Sequence, residues 1–323
     1  MSGLARMIAA LSAASIAWLA ATRVARAEET GPTLQKIAQA GAITLGYREN
    51  AAPFSYLDAD KQPIGFTLDL CGLVAEKVRE RLQLSGIRID TTPITSGNRT
   101  SLLNAGEIDI DCTAVPKSAE LARDAAISIP IYASQFRWLV PRQMRVERAE
   151  EGRTRAEVRT PSTVDDLLGK PVVLTQGSAA AGPILDLSVG RFLGLSILYA
   201  KDPAAAFKLV ETGQAAAFID DDVVLLGLKA KAKQPDSYGF LQDSFPSASY
   251  VLAMRKDDPQ FKELADSALT EAMRSGEYAK LYAKWFESPI PPGDVNQNGE
   301  INLNYAMPER VKRLIKDPLT ATN

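Results

Sequence analysis

The chain has no histidine among its 323 residues and only two cysteines. Without imidazole there is no histidine-based catalytic triad and no zinc site that needs a histidine ligand. Two thiols are too few for a structural zinc site of the all-cysteine kind. Beyond residue 27 no apolar run approaches membrane-spanning length. Basic and acidic residues nearly balance, 37 Lys and Arg against 39 Asp and Glu, so the positive field that nucleic acid requires is missing. What is present is ordinary for a soluble globular protein, with 46% hydrophobic and 24% charged residues and length enough for two domains.

The apolar run that does occur is N-terminal. Arg6 supplies a basic flank, residues 8–21 are apolar but short and rich in small side chains, and Ala25-Arg26-Ala27 is a small-x-small cleavage signature. Residues 1–27 are therefore expected to be a cleaved secretory signal peptide, with the mature protein periplasmic. Cleavage removes Arg6, Arg23 and Arg26 and moves the net charge from −2 to −5. In an exported protein Cys71 and Cys112 read as a disulfide rather than as catalytic or metal-binding thiols, the other reading being two buried free thiols.

Strand and helix patterns then alternate. Apolar strands are expected at 43–47, 87–94 and 108–112, with an extended pair over 53–66 turned at Asp58-Ala59-Asp60-Lys61. A helix over 69–82 has Leu70, Leu73, Val74, Val78 and Leu82 on one face, and a short helix holds residues 101–104. A second half repeats the scheme, with strands at 171–175, 195–199 and 216–219 and a helix at 203–212. The alternation predicts an α/β protein whose halves each contain a mainly parallel sheet flanked by helices. Apolar stretches at 136–140 and 250–254 flank the second half and are natural crossings between halves. Residues 143–161, rich in Arg and Glu without apolar periodicity, read as an exposed loop or hairpin. Helices at 259–275 and 277–286 bury Leu264, Leu269, Leu281 and Trp285, and a tail from Pro289 wraps the surface.

Charged residues cluster where such folds bind ligands, outside the carboxyl ends of strands. Arg48 follows the first strand and Arg99 the second, and a guanidinium fork suits a carboxylate or phosphate. Gln176-Gly177-Ser178, at a strand end and helix start, offers backbone N–H groups for an anion or serves only a turn. Asp220-Asp221-Asp222 closes another strand. Asp294-Val295-Asn296-Gln297-Asn298-Gly299 matches the first half of a calcium loop, but the twelfth position is Tyr305 rather than a bidentate acid, so a plain turn is the simpler reading. No cofactor is expected.

A run of segments in order carries a resemblance: Gly46-Tyr47-Arg48-Glu49, Pro53-Phe54-Ser55-Tyr56, Gly65-Phe66, Ile94-Thr95-Ser96-Gly97-Asn98-Arg99, Ala200-Lys201-Asp202, Asp221-Asp222, Arg255-Lys256-Asp257-Asp258-Pro259 and Lys284-Trp285-Phe286. The chain resembles family 3 of the bacterial extracellular solute-binding proteins over nearly its whole mature length. The resemblance implies a two-lobed periplasmic-binding-protein (flytrap) fold joined by two crossing strands. Lobe 1 would be 28–136 and 250–290, lobe 2 would be 137–249, and 291–323 would be a tail packed on the surface. It further implies a monomer that delivers a small carboxylate ligand, such as an acidic or polar amino acid, to an ABC permease.

By the same resemblance Arg48, Ser96 and Arg99 would receive a side-chain carboxylate and Asp221 the ligand's ammonium; Thr113, as a hydroxyl, and Gln176 and Ser178, from their strand-end position, are expected as further contacts. The stretch Thr113-Ala114-Val115-Pro116-Lys117-Ser118-Ala119-Glu120-Leu121 departs from the family. Ala114, Pro116 and Leu121 stand where hydroxyls and an arginine grip an α-carboxylate in members that take acidic amino acids, and Pro203 replaces a ligand-contacting histidine. Some flytrap relatives are periplasmic dehydratases, so Asp220, Asp221 or Asp222 acting as a general acid is the enzymatic alternative. A ligand-sensing partner of a membrane receptor is the other.

Overall fold

Two helices far apart in sequence are held by one carboxylate. In the computed structural model, which describes residues 31–150, 153–293 and 300–318, Asp258 accepts from Phe261 N at 3.0 Å and from Thr33 N at 2.8 Å. It thereby caps the helix Pro259–Ser275 and the first helix, α1 (Pro32–Ala40), both of which start on proline. Gly31 permits this, because a Cβ there would lie 2.3 Å from Asp258 Oδ1. The expected signal peptide and the half-loop at 294–299 lie outside the described residues.

The first body follows as β1 (Ala42–Tyr47), a small antiparallel sheet of β2 (Asn50–Ala51), β3 (Ser55–Leu57) and β4 (Pro63–Ile64), then α2 (Phe66–Arg81) and β5 (Arg88–Pro93). Next come α3 (Arg99–Ala105), β6 (Ile110–Pro116), α4 (Ala119–Asp124) and β7 (Ala126–Ile127). The long β8 (Tyr132–Pro141) leads out, and β9 (Met144–Glu150) and β10 (Arg153–Arg159) form a two-stranded antiparallel hairpin. The second body holds β11 (Pro171–Thr175), α5 (Ala181–Gly190), β12 (Ser196–Ala200), α6 (Pro203–Glu211), β13 (Ala217–Asp221) and α7 (Asp222–Ala230). β14 (Tyr238–Met254) returns, followed by α8 (Pro259–Ser275), α9 (Glu277–Tyr282), a π turn at Ala283–Glu287 and α10 (Glu309–Lys316).

One sheet path runs β12-β11-β13-β8-β14-β6-β1-β5, with β7 joined to β14. The outer trios are parallel, whereas β8 and β14 are antiparallel to each other and to the trio each borders. The alternation of strand and helix expected from sequence is therefore present, and the parallel trios need helices on their faces to stay buried. The main difference is β14, which extends over 17 residues rather than starting at Tyr250. Within 143–161, expected as a loop or hairpin, β9 and β10 pair antiparallel.

Side chains segregate accordingly. Ile43, Leu45, Phe66, Leu70, Val74 and Val78 pack with Phe261, Leu269, Tyr278, Tyr282 and Trp285 around the first body. Trp138, Val164, Val172, Leu174, Ile184 and Ile219 form a core in the second. Leu264 and Leu281, expected to be buried, are only partly so; Ala265 and Ala268, with the tyrosines, take the interior because the short residues let α8 approach α2 closely. Cys71 on α2 and Cys112 on β6 are joined in a disulfide with Cα atoms 6.3 Å apart.

Candidate functional site

The carboxyl end of β1 delivers Arg48. Its backbone N–H donates to Ser55 Oγ at 2.8 Å, which ties the β1 exit to the small sheet, and its Nη2 donates to Ser96 Oγ at 2.5 Å. Ser96 lies in a turn stapled by Asn98, whose Oδ1 accepts from Thr95 N at 2.7 Å. Arg99 then opens α3 and is buried. Its Nε lies 3.2 Å from Asp111 Oδ2, a carboxylate on β6 with no exposed surface.

Asp111 was not singled out in the sequence. It is held at Oδ1 by Thr113 N at 2.9 Å and Thr113 Oγ1 at 2.6 Å, so the Thr113 hydroxyl spends its proton inward. Burial pushes the Asp111 carboxyl up, and the Arg99 charge opposes the rise. Burial, then the facing Arg99, pulls Arg48 below its ordinary value, while Asp111 works the other way. Counting Asp111 as ionised, the cluster presents one net positive charge, and the half-buried Arg48 is its outer member.

The expected α-carboxylate grip is absent in kind. Leu121 is buried with Ile94, Leu103, Ile108 and Val115, Pro116 is exposed at the end of β6, and Ala114 has a left-handed backbone, φ 55°. Such a conformation is costly for a residue with a Cβ.

Thr175-Gln176-Gly177-Ser178 forms a turn closed by Ser178 N donating to Thr175 O at 3.0 Å, with Gly177 at φ 75°. That is the third-position glycine of a type II turn. Gln176 N donates to Ala200 O at 2.8 Å. Two of the three N–H groups expected to face an anion, those of Gln176 and Ser178, are thus engaged within the second body, and the glycine serves the turn.

Among the three aspartates, the strand's alternation and end separate the roles. Asp220 accepts from Thr175 Oγ1 at 3.1 Å. Burial pushes it up to about 6, the Asp221 charge adding to the rise and the Asp221 N–H opposing it. Asp221, the last residue of β13, is half-buried; Ser134 Oγ at 2.7 Å and Ser247 Oγ at 2.5 Å donate to its Oδ1, and Tyr250 OH donates to Oδ2 at 2.7 Å. These donors come from β8 and β14, the crossing strands. Burial, followed by the Asp221 charge, raises Tyr250 well above its ordinary value, so it remains a donor. The Tyr250 and Tyr132 rings pack edge-on against Phe54, at 5.3 and 5.4 Å between centroids, which anchors the acid's donors in the first core.

Asp222 begins α7 and is fully buried. Tyr305 OH donates to its Oδ2 at 2.7 Å and Arg310 Nη2 pairs with the same oxygen. α7 also leans on the first body: Val223 and Leu226 belong to its core, and a Cβ on Gly227 would lie 3.5 Å from Ala52 O.

The structure thus gathers Arg48, Ser96, Arg99 and Thr113 around Asp111, and gathers Asp221 with Ser134, Ser247 and Tyr250 at the crossing. Sequence reading missed Asp111, Ser134, Ser247, Tyr250, Tyr305 and Arg310. Only Asp111 had a visible signal, as an acid within a strand of otherwise apolar alternation.

Two α/β bodies joined by paired crossing strands, with cations at the strand ends of one and acids at the strand end of the other, define a two-lobed solute-binding protein. The chain belongs to the bacterial extracellular solute-binding proteins, family 3, which matches residues 43–288. It is 35% identical over 311 residues to the L-glutamate/L-aspartate-binding protein of Pseudomonas aeruginosa, covering 95% of each chain. It is 33% identical over 292 residues to the glutamate/aspartate import solute-binding protein of Salmonella typhimurium, covering 90% of each. Among solved structures, substrate-binding domain 2 of Lactococcus lactis GlnP in an open conformation aligns with TM-score 0.59 at 19% identity, over 77% of this chain and 96% of that one. The ancestral amino-acid-binding protein AncCDT-1, a precursor of cyclohexadienyl dehydratase, aligns with TM-score 0.55 at 24% identity, over 78% and 98%. At those identities the structures speak for the fold alone.

Proposed function

We propose that this protein is the periplasmic solute-binding component of an ABC importer for a small amino acid, of the glutamate or aspartate type, and that it acts as a monomer without catalysis. Lobe 1 comprises 28–136 and 250–290, lobe 2 comprises 137–249, and 291–323 packs as a tail. Arg48, Ser96 and Arg99 take the ligand's side-chain carboxylate and Asp221 takes its ammonium. The observation that carries this reading is the opposed charge of the two clusters, a guanidinium pair on one lobe and a hydroxyl-held carboxylate at the other's strand end. The two relatives named for glutamate and aspartate agree with it.

Because α7 and the crossing strands are built into both cores, a ligand touching both clusters stabilises the closed arrangement by contacts that the open one lacks. The closed form is then what the permease recognises. Thr113 supports the wall of the cleft, since its N–H and hydroxyl are spent on Asp111, whereas Gln176 and Ser178, whose backbone N–H groups are engaged within lobe 2, reach the ligand through the side-chain amide and hydroxyl. The α-carboxylate must find a partner other than residue 121, whose side chain is apolar and buried.

The test is thermal unfolding of the mature protein with L-glutamate, L-aspartate, glutamine, asparagine and dicarboxylates lacking the amino group. A ligand at about a hundred times its dissociation constant adds about 2.7 kcal/mol. Stabilisation by an amino acid of this panel supports the reading, and a response to none of them removes it.

One observation favours the enzymatic alternative. Asp220, at about 6, is a carboxyl poised to give up a proton near neutrality. Turnover of a dehydratable substrate, lost in Asp220→Asn, would replace the binding role with that one.

A further inference from the structure

The C-terminal tail reaches Asp222, the buried neighbour of Asp221. Ile290 and Ile301 form a β-bridge, Tyr305 N donates to Phe286 O at 2.8 Å, and α10 buries Val311 and Leu314. This leaves the tail fastened to lobe 1. From it, Arg310 Nε donates to Ala133 O on β8 at 2.7 Å, while Nη2 meets Tyr305 OH at 2.9 Å and Asp222 Oδ2.

Asp222 is next in sequence to Asp221, and one hydroxyl serves both. Ser134 Oγ lies 2.7 Å from Asp221 Oδ1 and 3.2 Å from Asp222 Oδ1. A hydroxyl has a single proton to give. Its allegiance depends on how negative each carboxylate is, and Arg310 is the cation paired with Asp222.

We infer that Arg310 is a positioning residue of the ligand site: by pairing with buried Asp222 it leaves the Ser134 hydroxyl to Asp221 and keeps Asp221 as the one acid presented to a ligand. The role of Asp221 toward a ligand rests on the function proposed above. The placement of its carboxylate by Arg310 does not.

Every element packed around Asp222 contributes to the balance. Tyr132 and Ser134 face it from β8, Tyr250 from β14, Tyr282 from α9, Asp221 from β13, and Tyr305 and Arg310 from the tail. Of these, Arg310 alone carries positive charge. Burial pushes the Asp222 carboxyl up, and the Arg310 charge is the largest influence holding it down. Removing that charge leaves two adjacent carboxylates competing for one hydroxyl, a conflict that protonation of Asp222 relieves.

The experiment is a carbon-13 carboxyl titration of ligand-free wild type, Arg310→Met, Arg310→Lys and the double variant Arg310→Met with Asp222→Asn. Methionine keeps the packing volume and removes the charge. In Arg310→Met the Asp222 titration is expected to move upward, and above it, where both acids are charged, the Asp221 carboxyl resonance is expected to shift as the Ser134 hydroxyl is shared with Asp222. Lysine restores part of both changes, and the double variant returns the Asp221 resonance to its wild-type position. In parallel, at that same pH, affinity for L-glutamate or L-aspartate should fall about tenfold in Arg310→Met and recover in the double variant, which a merely anchoring role of the tail would not produce. An Asp221 resonance unchanged in Arg310→Met overturns the inference, as does a shift that the double variant fails to reverse. If wild type binds neither amino acid, the function proposed above fails, and the carboxyl resonances still decide the placement of Asp221.

Discussion

The cationic cluster of lobe 1 and the acidic cluster at the crossing are built by the same logic with opposite sign. In the first, Asp111 is buried against Arg99 and Arg48 stands outward. In the second, Asp222 is buried against Arg310 and Asp221 stands outward. Each side neutralises its inner charge and presents its outer one. They differ in where the counter-ion comes from: Arg99 and Asp111 are twelve positions apart in one lobe, whereas Arg310 arrives from the far end of the chain. A binding face can thus be local, or it can depend on a tail that sequence order places well away from it.

The comparison breaks most visibly if an inner cation is removed. Arg99→Met leaves Asp111 buried and unpaired, so a loss of about 3–5 kcal/mol of stability is expected together with loss of ligand binding. A second change, Asp111→Asn, should return most of the stability but not the binding. Chemical denaturation of the two variants checks this, and equal stability of Arg99→Met and wild type would show that the inner pair is not what holds the cluster.

The outer cation should behave differently. Arg48→Met is expected to weaken the ligand by about ten- to a hundredfold, as the loss of a charge-assisted bond of roughly 1.5–3 kcal/mol implies. Because Arg48 is half exposed, its effect on stability should stay within about 1 kcal/mol. Calorimetric titration and unfolding on one sample separate the two effects.

The acidic side carries a penalty of its own. Asp220 is raised to about 6 in the folded protein, above an ordinary carboxylate, so the native state holds more protons than the unfolded state between those two values. Stability therefore falls as pH rises through that window. Asp220→Asn should gain up to about 3 kcal/mol near pH 8, with the gain disappearing near pH 4. Melting temperatures across that range test it.

The smallest expected effect is at Ala114, whose left-handed backbone beside Thr113 favours glycine. Ala114→Gly should stabilise by about 0.5–1 kcal/mol, the strain relieved less the entropy glycine loses on folding. No gain in denaturation midpoint would mean the turn already fits a methyl group.

Fold class was readable because the periods are strong: apolar strands of five or six residues, and α2 with Leu70, Val74 and Val78 on one buried face. The disulfide followed from compartment, and contact between Cys71 and Cys112 is a consequence of α2 packing on β6. Arg48 and Arg99 were readable because strand ends position them. Gln176 and Ser178 lie in a turn as expected, yet the Ser178 N–H closes that turn and the Gln176 N–H donates to Ala200 O on the neighbouring strand. Asp221 could be told from Asp220 and Asp222 only by the strand's end. The counter-ion pairings were illegible: Asp111 stands out as an acid within a strand, but nothing local in Asp111 or Arg310 says which partner folding brings from another element.

The most direct measurement is calorimetric titration of L-glutamate, L-aspartate and the matching dicarboxylates without an amino group into wild type and Asp221→Asn. Wild type is expected to prefer the amino acids by about a hundredfold or more, and Asp221→Asn to lose that preference, as a charge-assisted contact to an ammonium requires. Equal affinity of wild type for the amino acids and their des-amino counterparts would contradict the division of the site into a carboxylate-receiving lobe and an ammonium-receiving acid.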